Sequence, residues 1–159
     1  MSQTPLRLET YFFPKVQIEA NPEYSPKDAQ EHGDVQVKMN VGLLASDQDK
    51  TRFQLVLDIE SIGTETGILP YRVSLGAVAF IAVDGDLKHP DIERLVQING
   101  ASMLYSAIRE MVLMVTGRGP WGAFPLPTVN FQTVIPPSSS ARKASDKTAM
   151  SAQAAASDK

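Results

Sequence analysis

Between residues 35 and 43 apolar and polar side chains alternate without a miss. Val35, Val37, Met39, Val41 and Leu43 fall on one parity, and Gln36, Lys38, Asn40 and Gly42 on the other. A period of two sends one set to one face of an extended chain, so the segment reads as a strand with one face buried and one wet. A helix would scatter the same residues around its circumference. The pattern returns at Phe53, Leu55, Leu57 and Ile59, and again between Tyr71 and Val83 at Val73, Leu75, Ala77, Ala79 and Ile81. Ahead of them, Val16, Ile18 and Ala20 alternate with Lys15, Gln17 and Glu19, within a first strand from Leu6 to Ala20. Pro14 lies inside that strand and cannot donate to a ladder, so the strand is bent there or sits at a sheet edge.

The punctuation between these runs supports short reversals. Ser46 to Thr51, Gly63 with Gly67, and Asp84-Gly85 carry turn chemistry, and Gly76 is placed to mark a bulge. The strands therefore read as an antiparallel meander. One connection is different: Asn21 to Asp34 holds Pro22, Pro26 and Gly33 with no periodicity, a length at which loops tend to be functional.

After the strands the period changes. A short helical turn is expected around Pro90 to Gln97, then a longer helix capped by Asn99 or Ser102, running to Thr116 and stopped by Gly117 as a C′ residue. Its stripe is Met103, Leu104, Ala107, Ile108, Met111, Val112 and Val115. Tyr105, Leu113 and Met114 fall off that stripe. A helix apolar on two faces is covered on both, by the sheet on one side and reasonably by a second copy of the chain on the other. Strands followed by helix give an α+β class.

Residues 118–127 interleave Gly119, Pro120, Trp121, Gly122, Phe124, Pro125, Leu126 and Pro127, which reads as an ordered or lid-like loop, since flexible linkers do not carry Trp and Phe. From Pro136 the chain turns to Ser, Ala and Lys without aromatics, the composition of a disordered tail. The division expected is a folded domain over 1–135 and a tail over 136–159.

Chemistry-bearing constellations are sparse. There is no cysteine, so thiol catalysis, disulfides and thiolate metal sites are excluded. His32 and His89 stand alone, Asp84-Gly85-Asp86 lacks the bidentate carboxylate of a calcium loop because Leu95 occupies its place, and Gly117-x-Gly119 follows a helix instead of opening one. No serine sits in a nucleophile elbow, and Asp58 and Glu60 belong to the wet face of a strand. No catalytic residue, metal or cofactor is expected. A net charge of -3 supplies no field for nucleic acid. The N-terminus has no signal-peptide pattern and no run reaches the ~18 apolar residues of a membrane span, so a cytoplasmic protein without membrane insertion is expected.

One segment carries a family likeness. Residues 99–131 read NGASMLYSAIREMVLMVTGRGPWGAFPLPTVNF. With Tyr105, Ala107, Arg109 and Glu110 in the helix, Arg118-Gly119 after it, and Leu126-Pro127-Thr128-Val129-Asn130-Phe131 at the end, this resembles the SecB family of export chaperones. Thr128 stands where the family signature has Pro. The order of strands and the Ile18-Glu19-Ala20-Asn21-Pro22 exit extend the similarity over roughly residues 6–135.

The resemblance implies a four-stranded antiparallel sheet with one long helix and a second helix on one face, the second shortened here because Pro136-Pro137 follow within two turns. It also implies a homotetramer, built as a dimer of dimers, that holds unfolded polypeptides in apolar grooves and keeps them translocation-competent for export. The groove residues it suggests are Tyr24, Val35, Val37, Met39, Trp121, Phe124, Leu126, Val129, Phe131 and Ile135. Most of the strand residues among them are expected in the core, with Trp121 and Phe124 the foremost surface candidates because they sit in a loop. Family members dock on the SecA motor through acidic residues on the sheet; Glu19 matches one such place, while Lys15 and Arg72 stand at others. Two alternatives follow: a dedicated chaperone of one client, such as an antitoxin, without SecA coupling; and a small-ligand-binding α+β domain with Trp121 and Phe124 lining a closed pocket.

Overall fold

A computed structural model describes residues 6–27, 35–63, 68–84 and 92–136. Four strands, β1 (Leu6–Ala20), β2 (Gln36–Ala45), β3 (Arg52–Ile62) and β4 (Tyr71–Val83), precede a long helix, α1 (Ile92–Thr116), and a single turn, α2 (Phe131–Val134). The architecture is α+β, with one antiparallel sheet and both helices on one face, as expected from the sequence.

The strand order is β1-β4-β3-β2, which corrects the simple meander. Only β2, β3 and β4 follow one another by hairpins; β1 pairs antiparallel with β4 and lies at the opposite edge from β2. The chain leaving β1 must therefore cross about three strand spacings, on the order of 14 Å, to start β2. The long segment after Asn21 has that task, and its residues 28–34, with His32, lie outside the described residues. Local alternation identifies strands but contains nothing about which edge a strand joins, so this correction was beyond reach of the pattern.

On β3 the parity expected to be buried is buried: Phe53, Leu55, Leu57 and Ile59 face the helix, joined from β4 by Tyr71, Val73, Leu75, Ala77, Ala79 and Ile81. β1 has two register shifts, between Leu8 and Thr10 and between Phe12 and Lys15. The second contains Pro14, so the proline sits at an edge and at a bulge, as its missing N–H requires. The bulge belongs to β1 and not to Gly76. That glycine serves another need, because a Cβ there would lie 2.9 Å from Asp58 Oδ1 and 3.6 Å from Lys15 Cβ.

The helix is continuous from Ile92, which corrects the expected break near Asn99. Asn99 Nδ2 donates to the Leu95 carbonyl at 3.0 Å and Ser102 Oγ to the Ile98 carbonyl at 2.8 Å, so both side chains bond backward inside the helix instead of capping a new one. Gly100 lies between them because a Cβ there would stand 2.5 Å from Ile81 Cδ1 and 2.9 Å from Leu55 Cδ2. The glycine lets the helix approach the sheet at its tightest point. At the other end the helix stops at Thr116 as expected, but Gly117 takes no left-handed conformation; among the described residues only Gly122 has a positive φ, of 78°. The turns expected at Gly67 and at Asp84-Gly85, like His89 and the tail beyond Pro136, fall outside the described residues.

Candidate functional site

The end of α1 is tied to the sheet by a chain of hydrogen bonds that also places Trp121. Thr116 is fully buried; its Oγ1 donates to the Val112 carbonyl at 2.7 Å and accepts from the Phe124 amide at 2.9 Å. Tyr71 Oη donates to the Thr116 carbonyl at 3.2 Å and accepts the Trp121 amide at 3.0 Å. Gly119 passes this hydroxyl so closely that a Cβ would sit 2.5 Å from it. Trp121 Nε1 then donates to the carbonyl of Asn21 at 3.1 Å, bridging the loop to the exit of β1.

Asn21 is itself buried and well bonded. Its Nδ2 donates to the Leu69 carbonyl at 2.9 Å, its Oδ1 accepts the Glu23 amide at 3.1 Å, and its own amide donates to Pro70 at 2.8 Å. The local turn fixes Tyr24, whose ring meets Trp121 edge-on with centroids 5.2 Å apart. Two aromatics from distant parts of the sequence thus form one half-buried ledge.

The return segment past Gly122 is held as firmly. Tyr105 Oη donates to the Pro127 carbonyl at 2.7 Å, and the Tyr105 and Phe131 rings stand 5.7 Å apart. Burial pushes the Tyr105 hydroxyl above its ordinary pKa, with the Arg109 guanidinium pulling weakly the other way, so it remains a donor. Asn130 caps α2, its side chain accepting the Gln132 amide at 3.0 Å. Arg94 reaches across from α1 to the carbonyls of Gln132 and Ile135 at 3.4 and 3.5 Å.

The residues suggested by the sequence therefore separate. Tyr24 and Trp121 come together; Val35, Val37, Met39 and Val129 are half-buried at the margin of the core. Phe124, Leu126, Phe131 and Ile135 are core residues, Phe124 only 5% exposed. The expectation that Phe124 is a surface loop aromatic is corrected: the loop folds back, and the ring lies 6.0 Å from Tyr71. A loop in sequence is not a loop in solvent when its amides are bonded to a buried Thr.

Beside β2 the surface has a hollow of about 340 Å³ lined by Met39, Asn40, Val41, Gln97, Val134, Ile135 and Pro136. Val41 could have been taken from the alternating run, whereas Gln97 and Pro136 gave no signal before the helix and the return segment were placed. On the opposite face of the sheet a polar basin of about 830 Å³ includes Lys15, Glu19, Lys38, Glu60 and Arg72. Glu19 stands directly across from Arg72 and Lys38 across from Glu60. On the exposed side of α1, Leu113 and Met114 are 39% and 51% exposed. Among the described residues no cluster of His, Asp and Glu is arranged to hold a metal ion, and no helix is long and apolar enough to cross a membrane.

No protein-family model and no curated protein matches the sequence. Solved structures do match in shape. One is the SecB-like chaperone Rv1957 of Mycobacterium tuberculosis, solved in complex with a ChAD peptide from the Rv1956 HigA1 antitoxin. It superposes with a TM-score of 0.58 at 15% identity, over 79% of this chain and 91% of that one. Another is a protein of unknown function from Streptococcus agalactiae, with a TM-score of 0.51 at 14% identity, over 80% of this chain and all of that one. The fold is SecB-like; at these identities the likeness is one of fold.

Proposed function

We propose that this chain is a SecB-like molecular chaperone that binds non-native polypeptides. One observation carries the reading: on a SecB-like fold, the helix-bearing face leaves the start of β2 incompletely covered, so Val35, Val37 and Met39 stay half-exposed, and the Tyr24–Trp121 ledge is likewise only half-buried. An unfolded client offers apolar side chains and unpaired backbone, and an adaptable apolar margin meets both without asking for a sequence. Phe124, Leu126, Phe131 and Ile135 act beneath that surface by fixing the return segment. The closed-pocket alternative is weakened, because Phe124 is packed in the core.

The chaperone acts in the cytoplasm as a homotetramer, a dimer of dimers, with the exposed Leu113 and Met114 of α1 supplying apolar surface for a second copy. In the general form of the reading it keeps clients translocation-competent for protein export, with Glu19 a contact for SecA. A second form is favoured by the sheet's open face: Arg72 stands against Glu19, and Lys15 donates to Ser74 at 2.7 Å beside them, so that face is not an acidic docking surface. A chaperone dedicated to one client, such as the antitoxin whose peptide the M. tuberculosis neighbour binds, needs no motor contact.

The test is suppression of aggregation. At near-stoichiometric amounts the purified protein is expected to keep a chemically denatured, unrelated protein from scattering light on dilution. Suppression with no SecA complex at low salt selects the dedicated form; absence of suppression removes the general holdase.

A further inference from the structure

With no cysteine in the chain, methionine carries all of its sulfur chemistry. Of the six methionines, four lie among the described residues, and the fold gives them different surroundings. Met103 and Met111 are half-buried along α1. Met114 is 51% exposed on the helix face where a second copy is proposed to join, so the assembly would shield it. Met39 is the one sulfur in the alternating run of β2; it stands opposite Ile59 of β3, half-buried on the helix-bearing face with Val37 and Val41 as its neighbours of the same parity.

Met39 also lines the hollow of about 340 Å³ beside β2, so a solute as small as a peroxide can enter next to it. Gln97 lines the same hollow, and its side-chain amide is held only by the Val41 carbonyl at 3.5 Å, a contact at the limit of hydrogen bonding. That amide has donor capacity to spare for a new oxygen in the hollow.

We propose that Met39 is a reversible oxidation site that turns client binding down. The reagent is a two-electron oxidant of the peroxide class. The sulfur lone pair attacks one peroxide oxygen, and the S–O bond forms as the O–O bond breaks. The proton of the transferred hydroxyl passes to the departing hydroxide, which leaves as water; the sulfur is oxidised by two electrons and the peroxide reduced. A thioether is soft and adapts to apolar partners, whereas the sulfoxide is polar. A client side chain seated over it would strip water from a strong acceptor, and an oxygen bonded to Gln97 would draw the oxidised side chain into the hollow and fill it. Methionine sulfoxide reductases reverse the change, two thiols becoming a disulfide while the oxygen leaves as water. This rests on the chaperone reading and adds a control to the same surface.

The test treats the full chain with graded hydrogen peroxide. Oxidation at each methionine is read by peptide mass spectrometry, and suppression of aggregation is compared for each protein with its own untreated sample. As Met39 gains its oxygen, the amount of parent protein needed for half suppression is expected to rise about three- to tenfold, with circular dichroism unchanged, and to return after reduction by the two stereospecific sulfoxide reductases. Met39→Leu is expected to show no such rise on oxidation, and Met114→Leu to show the parent's. A Met39→Leu variant that loses suppression in parallel with the parent, or a parent oxidised at Met39 that suppresses as before, overturns the proposal and leaves the chaperone reading standing. The dose series on the parent decides the matter even if Met39→Leu misfolds: a loss that follows oxidation at Met103, Met111 or Met114, or that follows unfolding, overturns the proposal as well. If the untreated protein suppresses nothing, the chaperone reading fails and the control fails with it.

Discussion

Thr116 connects more of the candidate site than its size suggests. Its hydroxyl ends the ladder of α1 and begins the loop that delivers Phe124, while its carbonyl receives the Tyr71 hydroxyl that in turn holds the Trp121 amide. Thr116→Val keeps the shape but leaves the Phe124 amide buried without an acceptor, a loss of about 1–3 kcal/mol. Urea unfolding should show it as a lowered midpoint with an unchanged slope, and Thr116→Ser should lose less. The sequence marked Trp121 and Phe124 together as aromatics in a Gly/Pro loop, and only one of them is accessible. What separates them is where each is held: Trp121 is bonded to Tyr71 and Asn21, 50 and 100 positions away, while the Phe124 amide is bonded to the buried Thr116 and its ring packs near Tyr71, placements that no local pattern encodes.

Among the elements, the strands were legible because each has one buried face and so obeys a period of two; β1 and β4 run between the residues expected. The helix was legible in its second half and misread in its first. Asn99, Gly100 and Ser102 together look like a boundary, since each has a low preference for helix interiors. Close packing overrides that preference: Gly100 is where α1 rests on Ile81 and Leu55. Gly100→Ala sets a helix-propensity gain of about 1 kcal/mol against overpacking of about 1–3 kcal/mol. Leu55 and Ile81 are fully buried, with little room to yield, so overpacking should win. The expected outcome is a net loss of roughly 1 kcal/mol in chemical denaturation, and a stabilised variant would mean that the helix lifts without cost.

For the whole molecule, the apolar surface that α1 leaves in water at Leu113 and Met114 is where the proposed assembly would join. Met114→Glu should lower the sedimenting mass while leaving the circular dichroism unchanged; an assembly that survives it is not joined through this face. The fold class was readable from pattern because burial imposes period. Strand order, the placing of Gln97 beside β2 and the burial of Phe124 were not, because they depend on how distant elements meet.

The central claim is that the apolar margin holds unfolded chains, and Trp121, the sole tryptophan, stands on it as a built-in reporter. The most direct measurement is its fluorescence during titration with a permanently unfolded, tryptophan-free polypeptide, beside the same polypeptide in its folded form. The account predicts a saturable change with the unfolded chain, none with the folded one, and a complex that co-elutes on size exclusion. An emission that stays constant, with the two proteins eluting apart, would contradict it.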